Sequence, residues 1–276
     1  MTPASVYPVP DIAFASIALF LMLASVACAA YLLLRPVGGR DTWGIGEILA
    51  ITILFVVALP MGAILVGVGE PLTLTSLSIV TIIQNALFAG LSAYVVVVRY
   101  RQHPLRLGVR LDGWRPLVAI GMVAAALTIP LSVASERLAI LIYALFEGPA
   151  QAAALAAAEH LTDPLRPVFD QLSGPGQAAW LLFLLAVVVP VGEEVFFRGL
   201  VYGGLRSRWG TAVATLASAA FFAAVHVQVI HALPIFVLGV ILAALYERSG
   251  SLVPPIVAHG VNNIIAVISV WRGWEI

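Results

Sequence analysis

Six polar side chains fall within long apolar stretches in the last third of the chain, where ionisable groups are costly and are usually functional. They form three short motifs: Glu193-Glu194-x-x-x-Arg198, Phe222-x-x-x-His226 and His259-x-x-x-Asn263. Carboxylate and imidazole groups can activate water, and imidazole and carboxamide groups can donate hydrogen bonds to an oxyanion. The set therefore contains what hydrolysis of an amide needs. Glu193, His226 and His259 could instead bind zinc or another divalent metal, and spacing alone does not decide between the two.

The acidic motif predicts an ion pair with a second carboxylate beside it. Glu194 and Arg198 are four residues apart on one helical face, in the favourable order of acid before base. Glu193 then points about 100° away, given 3.6 residues per turn, and could face a cavity. A nearby arginine favours the ionised form of a buried carboxylate, which a general base requires. The alternative is a helix end at the membrane interface with solvated charges.

The two histidine motifs also place their members on shared helical faces. Phe222 can pack on the His226 ring, and His259 lies beside Asn263, because residues four apart are neighbours on a helix. Hydrogen bonds between helices are the alternative role for these side chains. His231 is predicted to be an interfacial residue, and Asn262 is a weaker candidate than Asn263.

Composition indicates the elements that must position these groups. The chain has 276 residues, of which 62% are hydrophobic and 10% charged, with a mean hydropathy of +1.05 and zero net charge. A soluble domain of this size could not hide so much apolar surface. The neutral charge argues against a nucleic-acid partner. The single cysteine, Cys28, excludes an internal disulfide and a cysteine-based zinc site.

The apolar runs predict an all-α, polytopic membrane helix bundle of about eight transmembrane helices, because each span needs roughly 20 apolar residues. Helices 1–4 and an external interfacial segment, 146–177, form a predicted N-terminal region, 1–177. Helices 5–8 form a predicted catalytic core, 178–276, and we expect one structural unit. The first run lacks the basic start of a secretory signal. The predicted spans are 12–34, 48–68, 72–98, 117–145, 178–203, 211–230, 233–246 and 252–270.

Arginine placement predicts the orientation in the membrane. Alternate loops carry eleven arginines, starting with Arg35 and Arg40, whereas the opposite loops carry Arg166 and Arg272. The positive-inside rule then places both termini outside. It also places Glu193, near the end of the fifth predicted span, toward the cytoplasmic side.

The three motifs, in this order on separate predicted spans, resemble the CAAX prenyl protease 2 and bacteriocin-processing (CPBP, or ABI) family of intramembrane endopeptidases. The resemblance covers about residues 178–270 and implies a bundle of about eight helices with a cavity open to the cytoplasm. It implies that Glu193 and His226 activate water, that His259 and Asn263 bind the oxyanion, and that Glu194 and Arg198 orient the first glutamate. A metal-free glutamic mechanism is favoured, partly because a carboxamide is an uncommon zinc ligand.

The resemblance implies a peptide or protein substrate in or at the lipid bilayer, either prenylated-like or bacteriocin-like, in a protein of the bacterial inner membrane. No oligomeric state follows from the sequence. A catalytically idle immunity or scaffold protein of the same family is the main alternative. A secondary transporter is a weaker one, because transporters often repeat their broken helices in two halves, whereas the polar groups here lie in one third of the chain.

Overall fold

The computed structural model describes residues 12–39, 41–65, 72–161 and 165–272, and these residues form helices and connecting turns without a β-strand. The helices are α1 (Ile12–Leu34), α2 (Ile45–Leu65), α3 (Leu74–Arg99), α4 (Trp114–Glu147), α5 (Pro149–Leu161), α6 (Arg166–Asp170), α7 (Pro175–Ala224), α8 (Ala232–Ser249) and α9 (Val253–Arg272). Within α7, the stretches Leu184–Val188 and Val195–Tyr202 are π-helical.

Helix lengths confirm the predicted polytopic helical bundle and an integral membrane protein. Among the described residues, six helices are long and apolar enough to cross a membrane (α1, α2, α3, α4, α7 and α8), and α9 carries a shorter apolar stretch. Gly210, with φ 76° and ψ 174°, breaks α7 into two rods, 175–209 and 211–224. When the two rods of α7 are counted separately, the apolar helices correspond in order to the eight predicted spans.

Two predicted helix ends need correction. The helix of the fifth predicted span extends to Trp209, whereas the sequence predicted its end at residue 203. No helix-breaking conformation occurs before Gly210. Glu193 therefore lies near the middle of its rod. The sixth ends at Ala224, so His226 lies in the turn that follows the helix rather than inside it.

The chain divides into two compact units. The first comprises residues 1–36 and 46–71, in which α1 packs against α2, and the second comprises residues 37–45 and 72–276. The predicted boundary at 177/178 falls inside the second unit, because α4 packs against α8 and α9 across it. In the first unit, Glu47 is fully buried in the first turn of α2, just outside the predicted span.

Close helix contacts position the motif-bearing helices of the second unit. Helix α9 packs against α4, α8 and the middle of α7, and α3 packs on the same part of α7. A Cβ atom added at Gly260 would meet the backbone carbonyl oxygen of Ala186, and one added at Gly192 would meet Asn85. These glycines let the helices approach closely enough for their polar side chains to meet.

We expect Gly260→Ala to destabilise the protein by about 1–3 kcal/mol, as overpacking of a tight contact does. Backbone atoms of Ala186 face the added methyl group and cannot rotate away as a side chain could. Gly90→Ala in α3 is the matched control, because no atom lies within 4 Å of a Cβ there. Thermal unfolding in detergent measures both variants, and equal melting temperatures would contradict the prediction.

Candidate active site

Helix α7 brings Glu194 and Arg198 into a buried ion pair, as their spacing predicted. Arg198 Nη1 donates to Glu194 Oε1 over 3.1 Å, and the two side chains are 1% and 0% exposed. The alternative of a solvated helix end does not hold for this pair. A charge this deeply buried must be paired, because removing it from water otherwise costs several kcal/mol.

Further contacts hold the guanidinium of Arg198 in one place. Its Nη2 donates to the carbonyl oxygen of Gly239 in α8 over 3.3 Å, which ties α7 to α8. Its Cζ lies 4.7 Å from the centre of the Phe222 ring, within the range of a cation–π interaction. Arg198 thus joins the first two motifs through a contact between rods that Gly210 separates.

His259 lies between the two glutamates. Its Nδ1 donates to Glu194 Oε1 over 2.9 Å, and its Nε2 is 3.8 Å from Glu193 Oε2. A carboxylate bound to one imidazole nitrogen fixes the ring orientation and the proton on that nitrogen. Glu194 therefore has two partners, Arg198 and His259, and directs the other nitrogen of His259 toward Glu193.

Glu193 carries a carboxylate that remains open to a new partner, and Glu194 Oε2 is likewise buried without a hydrogen bond among the described residues. The Glu193 side chain is 13% exposed. Its Oε2 atom is buried and has no hydrogen-bond partner within the described part of the chain. A buried polar atom of this kind needs an explanation such as a bound water or a catalytic role. The 3.8 Å gap to His259 exceeds a direct hydrogen bond, so a bridging water is a physically reasonable occupant.

His226 contacts its own motif partner. Its Nδ1 lies 2.7 Å from the Phe222 carbonyl oxygen, and the two rings are 4.9 Å apart in an edge-to-face arrangement. The Phe222 ring also lies 5.7 Å from the His259 ring. Among the described residues, no hydrogen bond or ion pair joins His226 to Glu193, so Phe222 links His226 to the rest of the site.

The two asparagines of α9 have separate roles in packing. Asn263 Nδ2 donates to the carbonyl oxygen of Leu185 over 2.8 Å, in a π-helical stretch of α7. Asn262 exchanges hydrogen bonds of 2.7 and 3.0 Å with the Thr128 hydroxyl of α4. Asn262 is thus a link between helices. Asn263 keeps a second N–H that could donate to a substrate.

The side chains proposed as metal ligands do not form a metal-binding set in this arrangement. His226 Nδ1 faces the Phe222 carbonyl oxygen and His259 Nδ1 faces Glu194, which leaves the Nε2 atom of each ring for another partner. No cluster of three or more His, Cys, Asp or Glu side chains suited to a metal ion occurs in the described ranges. The alternative ligand set Glu193, His226 and His259 is therefore not gathered into one cluster among these residues, and the metal-free mechanism stays a prediction.

Sequence reasoning missed several polar groups near the site. Glu159 of α5 binds three consecutive backbone amides in the connection between α7 and α8. Glu247 of α8 accepts a 2.8 Å hydrogen bond from Tyr202 and pairs with Arg206 over 2.8 Å. A glutamate in an Ala-rich surface helix gives no spacing signal, since its partners lie about 70 residues away.

An apolar cavity of about 560 Å³ lies between α4, α7 and α8. Its lining includes Ala223, Ala224, Val229 and Ile230, which flank His226 in sequence on both sides. The remaining lining residues are Ala139, Ile142, Tyr143, Phe146, Ala220, Ala232, Leu233 and Phe236. Such a cavity suits an apolar chain rather than a polar ligand.

The fold and the site thus define a helical membrane protein with a buried glutamate, arginine and histidine cluster. Residues 175–265, which contain all three motifs, match the family model described as type II CAAX prenyl endopeptidase Rce1-like. The predicted family resemblance is confirmed over this segment.

A curated relative aligns with this chain over a segment similar in length to the family match. The protein "Putative membrane peptidase YdiL" of Bacillus subtilis (strain 168) is 33% identical over 93 residues, which are 33% of this chain. The aligned part spans 38% of the length of that relative. No solved structure matches the chain.

Proposed function

We propose that this protein is an intramembrane endopeptidase that hydrolyses a peptide bond of a membrane-associated peptide or protein. The observation that carries the proposal is the position of His259 between the buried Glu194 and the partly exposed Glu193, with Glu193 Oε2 unpartnered among the described residues 3.8 Å from its Nε2. This geometry suits a water held between a carboxylate and an imidazole. The match to an endopeptidase family over residues 175–265 points to the same reaction class.

In the proposed mechanism, Glu193 takes a proton from the attacking water, and His226 assists this step. Such proton transfer typically contributes about 10²–10⁴-fold to the rate. Glu194 and Arg198 are positioning residues, because their ion pair fixes the His259 ring through its Nδ1. The water attacks the substrate carbonyl carbon, and the resulting tetrahedral oxyanion collapses as the amine receives a proton from the glutamic acid.

His259 and Asn263 are the proposed oxyanion donors. Because Glu194 holds the proton on His259 Nδ1, the Nε2 atom can donate only when the ring carries both protons. Asn263 would donate its second N–H, since its first is bound to Leu185.

The substrate is proposed to bring an apolar chain to the cavity that Ala224 and Val229, sequence neighbours of His226, help to line. The cavity is bounded by apolar side chains of α4, α7 and α8, and about 560 Å³ is ample for several apolar side chains or a lipid-like group. A prenylated-like or a bacteriocin-like peptide would satisfy this chemistry. We propose a bacterial inner membrane as the location of the protein. The arginine distribution supports an orientation with both termini outside.

The test is a comparison of membrane peptides from cells with and without the protein, followed by cleavage of the accumulated species by purified protein in liposomes. Cleavage by the wild type and its loss in His226→Ala support the proposal. An idle immunity or scaffold protein would leave the peptide population unchanged. Substrate movement across the liposome membrane without cleavage would indicate a transporter.

We expect a strong chelator to leave the cleavage rate within about twofold of the untreated rate, because a water activated by glutamate needs no metal. The measurement is the initial rate of peptide cleavage in liposomes before and after chelation and dialysis. Loss of activity with recovery on adding zinc would contradict the metal-free mechanism.

A further inference from the structure

The carboxylate of Glu159 has four hydrogen bonds that the proposed chemistry does not use. Its Oε1 accepts from the backbone N–H groups of Val229 and Ile230 at 2.7 and 3.1 Å. Its Oε2 accepts from the backbone N–H and the Nδ1 of His231 at 3.2 and 2.8 Å. Glu159 belongs to α5, outside the family-matched segment, and its side chain is only 11% exposed.

These bonds fix one end of the connection that carries His226. Residues 225–231 join α7 to α8, and His226 N–H and Val227 N–H bind the carbonyls of Ala223 and Ala224 at 3.2 and 3.3 Å. The C-terminal end of α7 thus holds residues 226–227 of the connection, and Glu159 holds residues 229–231. Val227 has φ 53°, a conformation that is strained for a β-branched residue. Such strain persists only where the surroundings hold the backbone in place.

Electrostatics favour the charged carboxylate at this position. Burial raises the pKa of Glu159, but hydrogen bonds from Val229, Ile230 and His231 outweigh it, so the pKa lies below its ordinary value. His231 is the N-cap residue of α8, where the helix dipole also favours a negative charge. Glu159 is therefore ionised at neutral pH.

We propose that Glu159 is a positioning residue that holds the 229–231 backbone and thereby sets the place of His226 on Phe222. This inference rests on the proposed endopeptidase function, because it concerns a side chain of that site. The helix α5 then contributes to the reaction without touching substrate. Loss of the carboxylate leaves His226 attached only to the end of α7, beside a strained residue.

The first test is hydrogen exchange of the purified full-length protein in detergent, wild type against Glu159→Gln. An amide side chain presents one acceptor oxygen where the carboxylate presents two. The remaining oxygen can still accept from Val229 and Ile230, whereas the His231 amide loses its acceptor Oε2. We expect the His231 amide to exchange about tenfold faster in the variant, the size typical of a lost helix-capping bond. Unchanged exchange at this amide would overturn the proposal.

The second test is steady-state peptide cleavage in liposomes by the same two proteins. A misplaced catalytic group lowers the rate of the chemical step, so we expect kcat to fall about 10- to 100-fold with KM unchanged. Unchanged kcat despite faster local exchange would show that Glu159 only stabilises the loop, and would overturn the positioning role. Glu147→Gln, at the exposed end of α4, is the matched control and should leave both readouts unchanged.

A milder variant and a catalytic control complete the design. If Glu159→Gln unfolds, Glu159→Asp retains the charge on a shorter side chain, and the same two measurements decide the outcome. Cleavage by wild type but not by Glu193→Gln shows that the proposed function holds, whatever Glu159 does. Wild-type protein without cleavage would instead refute the proposed function, while the exchange data would still report on the contact itself.

Discussion

Glu193→Gln is expected to lower peptide cleavage by about 100- to 10,000-fold while the protein remains folded. The substitution keeps the side-chain volume but removes the group that accepts the proton, a step worth about 10²–10⁴-fold. Folding should survive, because Glu193 Oε2 makes no hydrogen bond to the described residues whose loss would destabilise the bundle. The measurement is cleavage in liposomes at equal amounts of folded protein.

A second glutamate in an apolar helix provides the control for this variant. Glu136 lies in α4, outside the three motifs, and Glu136→Gln should retain wild-type cleavage when compared at equal amounts of folded protein. Wild-type turnover in Glu193→Gln would refute the glutamate-based mechanism. Loss of cleavage in both variants would show a general sensitivity to carboxylate removal rather than a role for Glu193.

Arg198→Met is expected to have the largest effect on stability, a loss of about 3–5 kcal/mol. The substitution leaves the fully buried carboxylate of Glu194 without its guanidinium partner, and it also removes the bond to Gly239 that ties α7 to α8. The stacking of the guanidinium on Phe222 is lost as well. Thermal unfolding in detergent, followed by circular dichroism, measures the change.

Two further variants show whether Arg198→Met lowers stability by leaving a buried charge unpaired or only by removing an ion pair. Arg206→Met removes a guanidinium that is 53% exposed and paired with Glu247, and should cost only about 0–1 kcal/mol. The double variant with Glu194→Gln and Arg198→Met should recover part of the stability, because no unpaired charge remains buried. A double variant less stable than Arg198→Met alone would contradict this explanation.

Local features of the site could be predicted from the sequence because helix geometry alone determines them. The ion pair of Glu194 with Arg198 and the ring contact of Phe222 with His226 both join residues four apart. The bounds of α1 agree with the predicted first span, since lipid requires a long apolar run to be helical. Helix ends were predicted less accurately. The helix before His226 ends at Ala224, although the apolar run continues to residue 230.

The helical membrane class, the order of the spans and the residues of the candidate site follow from composition and motif spacing. The packing of the helices adds two contacts that spacing does not predict: His259 lies between Glu193 and Glu194, and Glu159 holds the connection after His226. These contacts join residues about 65 to 70 positions apart. They depend on how far each helix is rotated and how closely its neighbours approach, as at Gly260 against Ala186, and no local spacing rule contains that information.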